Sequence, residues 1–198
     1  MQSALSPALL IHARLSHGAR SELAAVLGWA APLAGRPLRV NFRASLHAHR
    51  GRLVQGTSRG TAVHAGAFIR RREVVLDTGL LSDPGELARI LVHELFHFTW
   101  TRLGNPARRS WEAVLHREFC RRARGELGWS AEVRKAALRA SDRARRSRTW
   151  REYVGESFCD TAAWWLAGGR HREFTLPGAF RALRRRWFQH QFKSRIPI

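Results

Sequence analysis

Two histidines and a glutamate stand inside an otherwise apolar segment, ARILVHELFHFTW, which covers residues 88–100. Burying three ionisable groups among apolar neighbours is unfavourable unless a partner compensates for their lost hydration. If the segment is a helix, His93 and His97 lie on one face with Cβ atoms about 5–6 Å apart, so both can bind one Zn²⁺. Glu94 then lies at the edge of that face, placed to accept a proton from a water activated by the ion. We therefore predict a zinc site with His93 and His97 as ligands and Glu94 as general base; the alternative is a pair of core histidines satisfied by their neighbours.

Capping signals place this motif in the middle of a helix. Asp83 is a suitable N-cap, Pro84 a suitable first residue, and Glu86 follows at the capping-box position. Gly104 and Pro106 form a stop signal. The pattern predicts a helix that begins near Asp83 and ends near residue 103.

A second predicted helix, residues 150–167, carries two carboxylates one turn apart in the segment WREYVGESFCDTAAWW. A zinc site needs a third protein ligand. The apolar neighbours of Glu156 and Asp160 predict that both face inward, which is costly without a cation. We predict that Glu156 binds the ion and that Asp160 accepts a hydrogen bond from the non-ligating nitrogen of a ligand histidine. Glu152, one turn earlier, is an alternative ligand, although a capping role at the helix start also explains it.

Peptide-bond hydrolysis also needs a group that stabilises the oxyanion formed when water attacks a carbonyl. Tyr153, the only tyrosine of the chain, lies near Glu156 in the sequence and is the candidate for this role. Core packing among the neighbouring tryptophans is the alternative. His171 is a weaker candidate.

The two motifs together, HELFH and the downstream ESFCD, resemble the gluzincin pattern of zinc metallopeptidases, which is HExxH followed by ExxxD on a second helix. The resemblance covers residues 72–168. It implies a zincin-like α+β fold, with His93, His97 and Glu156 as zinc ligands, Glu94 as general base and Asp160 behind a ligand histidine. It also implies a peptide or protein substrate, and an edge strand beside the active-site helix, a position that REVVLDT (72–78) fits.

The net charge of +20, from 35 lysines and arginines against 15 aspartates and glutamates, supports another interpretation. Basic runs at 70–72, 121–124, 143–148 and 184–186 are scattered along the chain, which is typical of a solvated basic surface with nonspecific nucleic-acid contact. The alternative function is a basic nucleic-acid-associated or regulatory protein on a zincin scaffold, with proteolysis secondary or absent. In that case the chain would resemble the SprT-type, DNA-associated proteases, with His116 as third ligand.

The segment VVLDTGL resembles the active-site loop of aspartic peptidases. That chemistry needs two carboxylates that share a proton. The sequence has no second copy of the segment, so Asp77 is interpreted as a structural residue at the end of a strand.

The remaining patterns predict one α+β domain over residues 1–198, with a small mixed sheet packed on the active-site helix. Its parts are a helical N-terminal segment (1–35), a small sheet (36–79) with strands at 38–43, 63–70 and 72–78, metal-site helices (83–168) and a basic C-terminal helix (175–198). Between the first two strands, residues 49–60 predict a loop or irregular hairpin. Other expected helices begin at Ser110 and Ser130, residues 141–149 form a connector, and Thr149 with Glu152 forms a second capping box.

The composition also bears on where the protein resides. Two cysteines, Cys120 and Cys159, provide no disulfide framework, and no apolar run reaches the length of a membrane span. The first 20 residues lack the pattern of a secretory signal. We therefore expect a cytoplasmic protein that makes no contact with membranes.

Overall fold

A computed structural model of the protein describes residues 6–28, 31–50, 52–56, 60–168 and 171–198. These residues form a mixed α+β structure with seven α-helices and nine short strands. The chain groups into two compact units: unit 1 comprises residues 1–99 and 194–198, and unit 2 comprises residues 100–193. The prediction of one domain stays a prediction.

Unit 1 contains a four-stranded mixed sheet in the order β1-β3-β8-β7. Its strands are β1 (Leu9–His12), β3 (Leu38–Arg43), β7 (Ala65–Phe68) and β8 (Glu73–Asp77). Strand β3 pairs in parallel with both β1 and β8, whereas β7 pairs with β8 in the antiparallel direction. This arrangement confirms a small mixed sheet and the three strands predicted in residues 38–78.

The expectation that REVVLDT forms an edge strand is wrong. Strand β8 lies between β3 and β7, and Val74, Val75 and Leu76 are all buried. A continuous apolar run is typical of a strand with elements on both faces. The edge beside β8 is formed by β7, whose residues are all partly exposed.

The prediction of a helical N-terminal segment over residues 1–35 is wrong in part, because residues 9–12 form strand β1. Leu9 is buried and Leu10 is exposed, an alternation that is typical of a strand. Strand β1 pairs with β3 from Leu9↔Leu38 to His12↔Asn41. Helix α1 (His17–Gly28) begins only after Ser16, whose Oγ accepts a hydrogen bond from the N–H of Ala19. Residues 1–5 of the predicted segment lie outside the described residues.

A second, three-stranded sheet lies between the first two predicted strands, where we expect a loop or an irregular hairpin over residues 49–60. Strand β4 (Leu46–His49) pairs antiparallel with β5 (Arg52–Gln55) and with β6 (Thr61–Ala62). Asp77 ties this sheet to the end of β8, since its carboxylate accepts the N–H groups of Leu46 at 3.0 Å and Gly79 at 2.8 Å. These bonds agree with the structural role predicted for Asp77. A short pair, β2 (Leu33–Ala34) with β9 (Ile196–Pro197), completes the described strands of unit 1.

Helix α2 (Pro84–Arg102) has the start predicted from its capping residues. The Asp83 carboxylate accepts the N–H of Glu86 at 3.0 Å, and the Asp83 carbonyl accepts the N–H of Leu87 at 2.9 Å. The Glu86 carboxylate binds the Arg89 guanidinium at 2.5 Å. The prediction of the helix is therefore confirmed to within a residue at each end.

Unit 2 is helical, with α3 (Asn105–Cys120), α4 (Trp129–Ala136), α5 (Ala140–Arg145), α6 (Arg148–Ala167) and α7 (Gly178–Gln191). Several predictions for this part of the chain are wrong, among them the bounds of the C-terminal helix, which covers Gly178–Gln191 and not 175–198. Helix α3 begins at Asn105, not Ser110, because Gly104 and Pro106 suit the start of a new helix as well as the stop of α2. Residues 140–145 form a short helix within the expected connector. The N-cap of α6 is Ser147 and not Thr149, and Glu152 binds Arg148 instead of closing a capping box.

Large aromatic side chains form the interior of unit 2. The Trp111 indole of α3 donates to the Val154 carbonyl of α6 at 3.2 Å, and its ring meets the Phe188 ring of α7 edge-on with centroids 5.4 Å apart. Phe158 stacks on Phe188 with centroids 5.1 Å apart. Cys120 is exposed and Cys159 is buried. None of the described helices is long and apolar enough to cross a membrane.

Candidate metal centre

Helix α2 brings His93, Glu94 and His97 into one cluster. One ligand atom from each of the three side chains lies within 4.8 Å of the other two. The two imidazole rings are 5.0 Å apart at their centroids and nearly perpendicular, with an interplanar angle of 75°. The spacing of one helical turn produces this proximity, as the sequence predicts.

The cluster is shielded from water. His93 is 7% exposed and Glu94 8% exposed, while His97 is partly buried. Their neighbours on α2, among them Leu91, Leu95 and Phe98, are at most 1% exposed. In such surroundings a cation interacts strongly with a carboxylate and with imidazole nitrogens, because little water screens the attraction.

The donor set fits a zinc ion or a similar divalent metal. Imidazole nitrogens and carboxylate oxygens bind zinc at about 2.0–2.2 Å, so two ligand atoms on one ion lie within roughly 4 Å of each other. The grouping of His93, Glu94 and His97 needs only small side-chain adjustments to meet that limit. The arrangement can therefore hold a metal between two histidines with a carboxylate beside it.

Glu156 and Asp160 both lie on α6, in unit 2; Asp160 is buried, as predicted, and Glu156 is partly buried. The Glu156 side chain is 17% exposed, and its carboxylate lies 3.2 Å from the Arg134 guanidinium. Asp160 is 2% exposed and accepts the N–H of Ala131 at 2.8 Å, which caps the first turn of α4. Gly128 is needed at this contact, since a Cβ there would approach the Asp160 carboxylate to 2.3–2.6 Å. The roles predicted for Glu156 and Asp160 at the metal stay predictions.

Tyr153 has a definite partner in the interior of unit 2. Its side chain is fully buried, and its hydroxyl donates to the Glu126 carboxylate at 2.6 Å. Burial and the neighbouring Glu126 carboxylate raise the pKa of Tyr153 well above its usual value of 10.0. The hydroxyl is thus bound to Glu126 inside unit 2, and the oxyanion-stabilising role predicted for Tyr153 stays a prediction.

The other candidates from the sequence also lie in unit 2. His116 packs against the Trp150 ring at 4.9 Å, and burial, followed by the charge of Arg143, lowers the pKa of its imidazole. Glu152 pairs with Arg148 at 2.7 Å and is about half exposed. The Nδ1 of His171 accepts the N–H of Glu173 at 3.3 Å.

A buried ion-pair network in unit 2 was not predicted from the sequence. Arg184 is fully buried and donates to Glu118 at 2.6 and 2.8 Å and to Glu126 at 2.7 Å. Lys135 lies 3.0 Å from Glu126. Burial alone would raise the pKa of Glu126, but the charge and hydrogen bond of Arg184, with help from Lys135 and Tyr153, hold it below its ordinary value of 4.5.

The interpretation of residues 184–186 as part of a solvated basic surface is wrong for Arg184, although Arg185 and Arg186 are exposed. A signal was present: Arg184 precedes the buried Phe188 by one turn and shares its face of α7.

The fold is thus α+β with a small mixed sheet, and its candidate site is a His–Glu–His metal centre on α2. No protein-family model, curated protein or solved structure matches the chain.

Proposed function

We propose that the protein is a zinc-dependent metallopeptidase that hydrolyses peptide bonds. The observation that supports this function best is the buried cluster of His93, Glu94 and His97, whose ligand atoms lie within 4.8 Å of one another. Two imidazoles with an adjacent carboxylate on one helix provide two metal ligands and a general base for metal-assisted hydrolysis. The choice of peptide bonds rests on the gluzincin resemblance of HELFH and ESFCD, which is an argument by analogy.

In this proposal the two imidazoles hold the metal and the Glu94 carboxylate moves the proton. Bound there, a zinc ion would act as a Lewis acid toward a water and a substrate carbonyl. Glu94 would take the proton of the attacking water and return it to the leaving amine. Its low exposure favours this role, because few solvent waters compete for the carboxylate.

The test combines metal analysis with activity. We expect purified wild-type protein to contain about one zinc per chain, and Glu94→Gln to retain the metal while peptidase activity falls on the order of 10²–10⁴-fold. His97→Ala should lose the metal, because one of two adjacent ligands is removed. His190→Ala, a change at an exposed histidine of α7, is the matched control and should keep both metal and activity.

The proposal fails if the purified wild-type protein contains no metal and does not bind added zinc. It also fails if Glu94→Gln cleaves peptides as fast as the wild type does.

The net charge of +20 favours a second candidate, a basic nucleic-acid-associated or regulatory protein on the same scaffold. In that case the protein binds nucleic acid, Glu94→Gln leaves this binding unchanged, and the affinity for nucleic acid falls steeply as the salt concentration is raised. Peptidase activity and nucleic-acid affinity, measured on the same preparations of wild type and Glu94→Gln, distinguish the two functions.

A further inference from the structure

A cavity of about 300 Å³ in unit 2 has a strongly cationic lining. Its charged residues are Arg108, Arg109, Arg146, Arg151 and a single carboxylate, Glu112. All of them lie between residues 100 and 154, so the cavity belongs to unit 2 alone. It shares no residue with the His93–Glu94–His97 cluster.

Two of the four arginines already have partners. Arg146 forms a two-pronged ion pair with Glu112, at 2.7 and 3.0 Å, which neutralises the one carboxylate of the cavity. Arg108 donates to the carbonyl oxygens of Trp100 at 2.8 and 3.0 Å and of Thr101 at 2.9 Å. Since those carbonyls lie in the last turn of α2, part of the Arg108 charge is balanced by the negative end of that helix.

Arg109 and Arg151 are the cations of the cavity that remain uncompensated. Among the described residues, neither guanidinium has a hydrogen bond or an ion pair with another side chain or with the backbone. Both side chains are exposed, on different helices, α3 and α6. Two like charges that line one cavity repel each other, and an anion between them removes that repulsion.

Asn105, the first residue of α3, also lines the cavity. Its side-chain amide is a neutral hydrogen-bond donor.

We propose that this cavity binds a phosphate group, held by Arg109 and Arg151 with Asn105. Guanidinium groups bind phosphate oxygens through two parallel hydrogen bonds, and two of them match the charge of a phosphate monoester. A volume of about 300 Å³ lies at the lower end for small-molecule sites and accommodates a phosphate with part of the molecule that carries it. The phosphate belongs either to a free phosphorylated compound or to the backbone of single-stranded nucleic acid.

The test uses the full-length protein and two double variants. Arg109→Gln/Arg151→Gln removes the uncompensated cations, whereas Arg117→Gln/Arg145→Gln removes two exposed arginines outside the cavity and lowers the net charge equally. Calorimetric titrations with inorganic phosphate and adenosine monophosphate, and anisotropy with a labelled oligothymidylate, are measured at about 0.15 M salt. We expect the cavity variant to raise Kd about tenfold or more, and the control variant to leave it nearly unchanged.

Each outcome is decisive. Cavity-dependent binding of adenosine monophosphate identifies a free phosphorylated compound, and cavity-dependent binding of oligothymidylate alone identifies a nucleic-acid backbone. Equal weakening in both variants would show only the general attraction of a basic protein and would overturn the proposal. Absence of binding to all three probes would overturn it as well. Because the zinc-binding residues are unchanged in every variant, failure here leaves the proposed peptidase function untouched.

Discussion

Glu156 and Glu152 lie one turn apart on α6, yet their surroundings differ. The Glu156 side chain is 17% exposed and pairs with Arg134, whereas Glu152 is 49% exposed and pairs with Arg148 within its own helix. An exposed pair of this kind contributes little to stability. Glu156 stays the predicted third ligand, and Glu152 stays its alternative.

The matched pair Glu156→Gln and Glu152→Gln tests the third ligand of the proposed site. We expect Glu156→Gln to raise the dissociation constant for zinc at least about tenfold, since a neutral amide is a poorer ligand than a carboxylate. Glu152→Gln should bind zinc as the wild type does. Competition with a chromophoric chelator measures both constants. If Glu152→Gln weakens zinc binding and Glu156→Gln does not, the ligand is Glu152. If neither variant changes the dissociation constant for zinc, α6 contributes no ligand.

At the scale of elements, α2 depends on its N-cap. Because His93 and His97 are held by the helix and not by a loop, the integrity of its first turn supports the whole motif. The bonds from Glu86 N–H and Leu87 N–H to Asp83 define that turn.

We predict that Asp83→Ala lowers the free energy of unfolding by about 1 kcal/mol, because one N–H of the first turn loses its acceptor. Asp83→Asn should retain most of the stability, since asparagine is an equally good N-cap. Urea unfolding followed by circular dichroism provides the midpoint for each variant. Equal loss in both variants would mean that the carboxylate charge, and not the cap, stabilises the helix.

For the molecule as a whole, not every charged side chain lies on the surface. Arg184 is fully buried between Glu118 and Glu126, with Lys135 also near Glu126, so two cations and two carboxylates balance inside unit 2. The network joins α3 and α7 to residue 126, which precedes α4. Removal of one member leaves the remaining charges buried and uncompensated.

Arg184→Met should therefore lower the free energy of unfolding by about 3–5 kcal/mol at neutral pH. Arg186→Met, an exposed change two residues away, is the control and should cost little. The depressed pKa of Glu126 stabilises the wild type above pH 4.5, and this contribution is lost as the pH falls through the folded-state pKa. The difference in free energy of unfolding between wild type and Arg184→Met should consequently become smaller as the pH is lowered. Urea titrations at several pH values measure it, and a gap that widens in acid would contradict the assignment.

Much of the fold could be predicted because its signals are local. The Asp83 cap defined the start of α2, and alternation and apolar runs identified β3 and β8. The first residues of α3 and α6 were harder to predict, because residues near the N-caps Gly104 and Ser147 are almost equally good caps.

The grouping of His93, Glu94 and His97 follows from the amino-acid sequence alone, because one helical turn sets the spacing of these residues. The packing of distant segments places β8 inside the sheet, pairs residues 9–12 with β3, and gives Arg184 its partners Glu118 and Glu126. It also decided that the Tyr153 hydroxyl donates to Glu126, 27 residues away. Contacts of this second kind depend on which surfaces meet when distant segments pack, and no periodicity or cap within one segment encodes them.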